Sequence, residues 1–191
     1  TPASPSPKPG THLVRIISGY LPEHADIRLL PGATLTHASF AEDRDPRFAM
    51  MRLDESLMAA AGDVVVLAHE PCEVSDQFEA EMFWLDSGRG FTGRAYQLQL
   101  GGKTAAATLL EVKGRYSLTT LDLLSSRTLR PGHTGKVTFG TDIPLPFEPF
   151  DKCAALGAFI LTDPYRQQVV GAGIVNFALR RSHNIHRQAL V

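Results

Sequence analysis

Net charge is the first thing this chain lacks: 19 lysines and arginines stand against 20 aspartates and glutamates, a formal charge of −1. That balance gives no electrostatic case for nucleic acid, which is normally met by a strongly basic face. The basic run Arg180-Arg181-Ser182-His183-Asn184-Ile185-His186-Arg187 is the one local exception. Cysteine is almost absent as well. Cys72 and Cys153 lie far apart and cannot build a disulfide framework, so reduced thiols and a cytoplasmic setting are expected. No apolar run approaches the ~20 residues of a membrane span, and nothing reads as a secretory leader, so no membrane partner is expected. No long amphipathic helix separates the apolar segments, which excludes a doubly wound α/β fold.

What the chain does have is strands. In its 191 residues, short β-branched and aromatic runs recur at roughly 8–12-residue spacing between turn signals, the pattern of barrels or sandwiches. Leu13–Ile17, Asp26–Leu30, Thr34–Phe40, Phe48–Leu53 and Val64–Ala68 form a first set, with a two-turn helical stretch expected over Asp54–Ala61. The pattern restarts around Glu70-Pro71-Cys72-Glu73, where a domain boundary is placed. In Gln77–Leu85 the side chains Phe78, Ala80, Met82 and Trp84 fall on one face and Gln77, Glu79 and Glu81 on the other, as a half-buried antiparallel strand requires. Ala95–Leu100, a Gly101-Gly102 turn and Thr104–Lys113 read as a hairpin. Leu121–Leu129 reads as a strand or a short helical turn, Gly135–Gly140 continues the sheet, and Ile143–Phe150 is broken by prolines and assigned to an edge or crossover. Ala158–Thr162 and Val169–Phe177, joined by a turn at Asp163-Pro164, close the set. Gly171 and Gly173 inside the last strand mark a bulge or a close backbone approach. The predicted fold class is all-β, two antiparallel β-barrels in tandem. Residues 1–10 read as a linker, 11–72 as the first barrel, 73–178 as the second and 179–191 as a further linker.

Candidate chemistry is thin. Gly101-Gly102-Lys103-Thr104 has the end of a phosphate-binding loop, but Gln97 stands where that motif needs its first glycine, and both flanks read as strands. His183 and His186 have no further Cys or His at zinc spacing. Ser18-Gly19 and Ser125-Ser126 lack the strand-to-helix setting of a nucleophile elbow. Asp43, Asp45, Asp54 and Glu55 lack the alternating oxygen ligands and glycine of a calcium loop. Cys72 sits beside Glu73, which raises rather than lowers a thiol pKa. Phe83 and Trp84 are weighed as a partner hot spot, and core packing is preferred because Trp84 shares the face of Phe78 and Met82. No catalytic, cofactor-binding or metal-binding residue is assigned.

Certain segments resemble a known family. Ser75-Asp76-Gln77-Phe78-Glu79-Ala80, Phe83-Trp84-Leu85 and Gly93-Arg94-Ala95-Tyr96-Gln97-Leu98 occur in order, followed by Phe147-Glu148-Pro149-Phe150, Gly157–Asp163 and Val170–Ile174. With weaker matches at Leu30-Pro31-Gly32 and Ala61–Val66, residues 13–191 resemble the two C-terminal barrels of the GTPase subunit of bacterial sulfate adenylyltransferase. Those barrels are relatives of domains two and three of elongation factor Tu. Phe177–Arg181 with Asn184-Ile185-His186 and Gln188 resembles the linker into an adenylylsulfate kinase domain in fused members.

The resemblance implies a non-catalytic barrel module of a sulfate-activation enzyme. Its partners would be a GTPase domain or the adenylyl-transferring subunit, and a C-terminal adenylylsulfate kinase domain. It implies no cofactor in this chain, with ATP, GTP and magnesium used by other domains of the parent. The alternative is an RNA- or ribosome-binding barrel pair. The family pattern is not kept at Ala61, where an arginine is usual, at Gly132, where an asparagine is usual, or at Cys153-Ala154-Ala155-Leu156, where Asn-Arg-x-Thr is usual. Losing polar groups while keeping apolar ones preserves a fold and relaxes a polar interface.

Overall fold

The computed structural model describes residues 10–42, 45–54, 57–70 and 72–179. The expected linkers apart from Gly10 and Leu179, the His183–His186 pair, Asp43, Glu55 and Pro71 lie outside the described residues. The chain divides into two compact units, Thr1–Pro71 and Cys72–Val191. Its architecture is all-β, as the strand spacing predicts.

In the first unit, β1 (Thr11–Arg15), β2 (His24–Leu30), β3 (Thr34–Glu42), β4 (Phe48–Arg52) and β5 (Val64–Leu67) form one curled antiparallel sheet in the order β1-β4-β3-β2-β5. Alternation sets the buried side: Ile27 and Leu29 turn inward from β2 while Asp26 and Arg28 face out. Ala38, Phe40, Met51 and Leu53 complete the core. The helix expected over Asp54–Ala61 does not form at Asp54 or at 57–61. Leu57 and Ala59, two positions apart, both pack on the core, a spacing that suits extended chain and not a helix face. Two turns of modest propensity cannot outweigh that burial.

The second unit contains β6 (Glu73–Trp84), β7 (Gly90–Phe91), β8 (Ala95–Leu100), β9 (Lys103–Tyr116), β10 (Leu123–Leu124), β11 (Thr128–Leu129), β12 (Thr134–Phe147), one helical turn α1 (Ala154–Gly157), β13 (Ala158–Asp163) and β14 (Gln168–Ala178). Six of these strands run β9-β12-β6-β14-β13-β8, and β8 pairs back onto β9, so the sheet closes into a barrel. Closure leaves no free edge within the ring. Phe78, Ala80, Met82 and Trp84 line the interior from β6, with Tyr96, Leu98, Leu109, Phe139, Phe147 and Phe159 contributed by other strands. Ring pairs are tilted or edge-on, for example Trp84 with Tyr96 at 5.9 Å and 78°.

Three local expectations meet the structure differently. Gly101 and Gly102 form the two-residue hairpin turn between β8 and β9, with Leu100 paired to Lys103 and Gly101 at φ +57°. Leu121–Leu129 forms neither one strand nor a helix, but two short bridges: β10 pairs with the end of β9, and β11 with β7. The proline-broken segment is an edge, one of the two alternatives expected, and it is the end of β12 itself. β12 continues through it to Phe147 by a bulge between Gly140 and Leu145, after which it pairs with β6 alone. A proline is tolerated there because one side of the strand no longer needs its N–H for a ladder.

The glycines of β14 mark both a bulge and a close approach. Register slips between Leu161 and Thr162 opposite Gly171. A Cβ on Gly173 would meet Phe159 Cζ at 2.6 Å and the Met82 backbone at 2.9 Å. Gly173→Ala is therefore expected to destabilise the chain by about 1–3 kcal/mol through overpacking, read as a lowered urea midpoint. An unchanged midpoint would contradict this packing.

Candidate docking site

The Gly93-Arg94-Ala95-Tyr96 element and the end of β13 converge at one end of the barrel. The guanidinium of Arg94 donates to Asp163 Oδ2 at 2.7 Å and lies 5.6 Å from the Tyr96 ring centroid. Asp163 also accepts the backbone N–H groups of Tyr165 (2.9 Å) and Arg166 (3.0 Å), an Asx-type turn that shapes the β13–β14 connection. Arg166 donates to Asp163 and forks onto both oxygens of Asp86 at 3.1 and 2.7 Å, tying the exit of β6 to that turn. Two guanidinium groups thus face two carboxylates.

The backbone N–H of Arg166 outweighs burial and, with Tyr165 N–H and the Arg166 side chain, holds the Asp163 carboxyl down at about 2. Hydrogen bonding from Arg166 also lowers Asp86, and the two carboxylates raise Arg166. Burial pushes the Tyr96 phenol upward. None of these groups exchanges a proton near neutral pH, so the cluster is a lock on three chain segments rather than an acid–base set.

A second network lies on the barrel wall. Glu79 points outward from β6, yet the residue is only 5% exposed, because Lys113, Lys136 and Asn176 cover it. Burial alone would raise its pKa; the hydrogen bond and charge of Lys113, with Lys136, reverse the direction and hold it low. Next to it Tyr116 Oη donates to Glu81 Oε1 at 2.7 Å, and burial together with that carboxylate pushes the phenol to about 12.

The same wall carries an apolar row. Cross-strand register places Ile160 beside Ala172 and Ala172 beside Phe83, on three neighbouring strands. Val169 and Leu85, both exposed, flank the row at its end. Phe83 is 43% exposed, whereas Trp84 is fully buried and donates its indole N–H to Gly88 O at 2.7 Å. Core packing, preferred for the Phe83–Trp84 pair, holds for Trp84, whereas Phe83 is exposed. Alternation along β6 sends Phe83 outward, and only non-local pairing brings Ile160 and Ala172 alongside it. The side chains of the row carry no charge.

The remaining candidates stay apart. Cys72 Sγ donates to Phe147 O at 3.4 Å, and burial, with Glu148 beside it, pushes the thiol up to about 12. Asp45 pairs with Arg47. Ser18, Gly19 and Ser125 are exposed, and Ser126 binds Thr128 O. Among the described residues no group of three His, Cys, Asp or Glu is placed to hold a metal, and no helix is long and apolar enough to cross a membrane. Ala61 is exposed in a turn, Gly132 takes φ +79°, and Cys153–Leu156 becomes the cap and body of α1.

The second unit is thus a closed barrel with internally paired charges and an outward apolar row. The chain belongs to the GTP-eEF1A C-terminal domain-like family, whose match covers residues 77–176. It is 29% identical over 164 residues, 86% of the chain, to the bifunctional enzyme CysN/CysC of Xylella fastidiosa. It is 28% identical over 129 residues, 67% of the chain, to sulfate adenylyltransferase subunit 1 of Laribacter hongkongensis. The chain spans about a quarter of the length of these relatives (26% and 27%). Its fold matches Sup35 complexed with GDP at a TM-score of 0.69, with 14% identity, over 88% of this chain and 42% of that one.

Asp163 makes a pH prediction. A carboxylate whose folded pKa is depressed adds stability above its ordinary value of 3.8, and that stability is lost as pH falls towards about 2. Asp163→Asn is expected to unfold at lower urea than the parent at neutral pH, with the gap narrowing between pH 3.8 and about 2. A gap independent of pH would refute an ionised Asp163 as the source.

Proposed function

We propose that this chain is a non-catalytic barrel module of a sulfate-activation enzyme, holding partner domains in register while other domains carry out the chemistry. The observation that carries this reading is the extended match to a sulfate adenylyltransferase subunit 1 and to a CysN/CysC enzyme, at 28–29% identity. The ion-pair lock at Asp163 and the covered carboxylate of Glu79 support it physically, since both spend their charges within the barrel. In the parent enzyme, ATP and sulfate would give adenylylsulfate, with GTP hydrolysis in a GTPase domain driving the step. An adenylyl-transferring subunit would perform it, and a fused adenylylsulfate kinase domain would consume the product. The barrels would contribute orientation to these cytoplasmic reactions, with ATP, GTP and magnesium bound elsewhere.

The apolar row of Phe83, Ala172 and Ile160 is the face we assign to the permanently attached GTPase domain. Its lack of charge suits a contact that is formed once and kept. The test is a graft: this chain replaces the two C-terminal barrels of a bacterial sulfate adenylyltransferase GTPase subunit. The expected result is growth on sulfate as sole sulfur source, abolished by Phe83→Asp at unchanged barrel stability. A graft that is expressed and folded but supports no growth, while binding RNA in a salt-dependent way, would replace this reading with the translation-factor-like one.

A further inference from the structure

Between β9 and β10 the chain makes a tight loop, 117–122, whose apolar side chains face solvent. Leu118 is 80% and Leu121 75% exposed, and Leu123 and Leu124 of β10 are partly so. The loop is nonetheless well tied. Ser117 N–H donates to Asp122 O at 2.9 Å, Leu121 N–H to Ser117 O at 2.8 Å, and Thr120 N–H to Ser117 Oγ at 3.3 Å. β10 pairs with Arg115 and Tyr116, and its backbone lies so close over Gly114 that a Cβ there would meet Leu124 O at 2.6 Å. Leu121 sits at φ +61°, a left-handed conformation that a branched apolar residue adopts rarely and at a cost to stability. Despite that cost the Leu121 side chain is left 75% exposed.

The flanking sequence is basic. From 113 to 137 the sequence carries Lys113, Arg115, Arg127, Arg130 and Lys136 against Asp122 alone, in a chain whose net charge is −1. Lys113 and Lys136 are committed to Glu79, which leaves the arginines. Arg115 and Arg130 converge near His133, whose pKa falls through burial and their two charges. Arginine around an exposed apolar centre is the composition of an exchangeable protein interface, where charge steers association and the apolar group supplies residence time. The uncharged row at Phe83 lacks that rim. No aromatic ring in the loop is free to stack a base, since Tyr116 is tied to Glu81. Two protruding leucines fall short of what stable lipid anchoring requires.

We propose that the 117–124 loop is a second docking element, a preformed leucine knob that seats in an apolar groove rimmed by carboxylates on a separate protein subunit. The inference rests on the module reading above. It assigns the knob to the subunit that associates in trans, leaving the Phe83 row to the domain attached in cis. The left-handed leucine holds the knob in its bound shape before contact, so little ordering is left for the encounter.

The test uses the purified chain immobilised for interferometry, with the adenylyl-transferring subunit of the same organism as probe. Leu118→Asp with Leu121→Asp is expected to weaken binding by at least about tenfold, and Arg115→Glu with Arg127→Glu to slow association and flatten its dependence on salt. Leu121→Asn guards against a trivial loss of folding, because asparagine tolerates the left-handed conformation. That variant should unfold at equal or higher temperature and still bind more weakly. Binding unchanged by the leucine variants, or equally fast at every salt concentration, overturns the knob. Leucine-dependent binding to phosphatidylcholine–phosphatidylglycerol vesicles overturns it in favour of a lipid surface. A wild-type chain that does not bind the subunit also overturns it, and the graft then decides separately whether the module reading survives.

Discussion

Closure of the second sheet is the constraint on which everything else in that unit depends. Once β8 pairs with β9, every strand of the ring has two neighbours, and a slip of one residue in any of them would turn its whole apolar set outward. The strict alternation of Phe78, Ala80, Met82 and Trp84 therefore fixes more than its own strand. It places Glu79 and Glu81 on the outer wall, where Lys113, Lys136 and Tyr116 meet them, and it sends Phe83 into line with Ala172 and Ile160. The bulges in β12, β13 and β14 absorb the irregularities without breaking that ring.

The charges reinforce the closed state at two places of different character. At the barrel end, Asp163 gathers backbone and side-chain donors from its own turn and the guanidinium of Arg94 from the start of β8. On the wall, Glu79 is buried on the side that alternation would leave wet, and two lysines compensate it. Buried ion pairs of this kind add little net stability compared with apolar replacements, but removing one partner is costly. Their effect is to fix which segments lie together, which suits a module whose task is geometry.

The sequence carried the local part of this structure. The β6 alternation, the Gly101-Gly102 hairpin and the glycines of β14 are each decided within a few residues, and the structure holds them as read. What escaped the reading is non-local. The continuation of β12 through Pro144 and Pro146 depends on which side of the strand still has a neighbour. The lost helix at 54–61 depends on a core that only the folded sheet creates. Asp163, Arg94, Arg166 and Asp86 are spread over 81 positions of the chain, with no spacing to announce them. Phe83 was within view, since period-two alternation alone sends it outward. Cys153–Leu156 falls on a short helical turn in which Leu156 is buried while Ala154 and Ala155 face solvent.

The bulge at Thr141–Pro144 has a further consequence. There β12 leaves β9 and goes on with β6 alone, while Asp142, Ile143 and Pro144 stand exposed. The wall changes there from a two-sided ladder to a one-sided one. Such a point tolerates added length, because residues added at 142–144 displace no paired neighbour and no interior side chain. The seam that lets two prolines into a long strand is also where the barrel can accept an insertion, and so acquire a new appendage while its interior stays as it is.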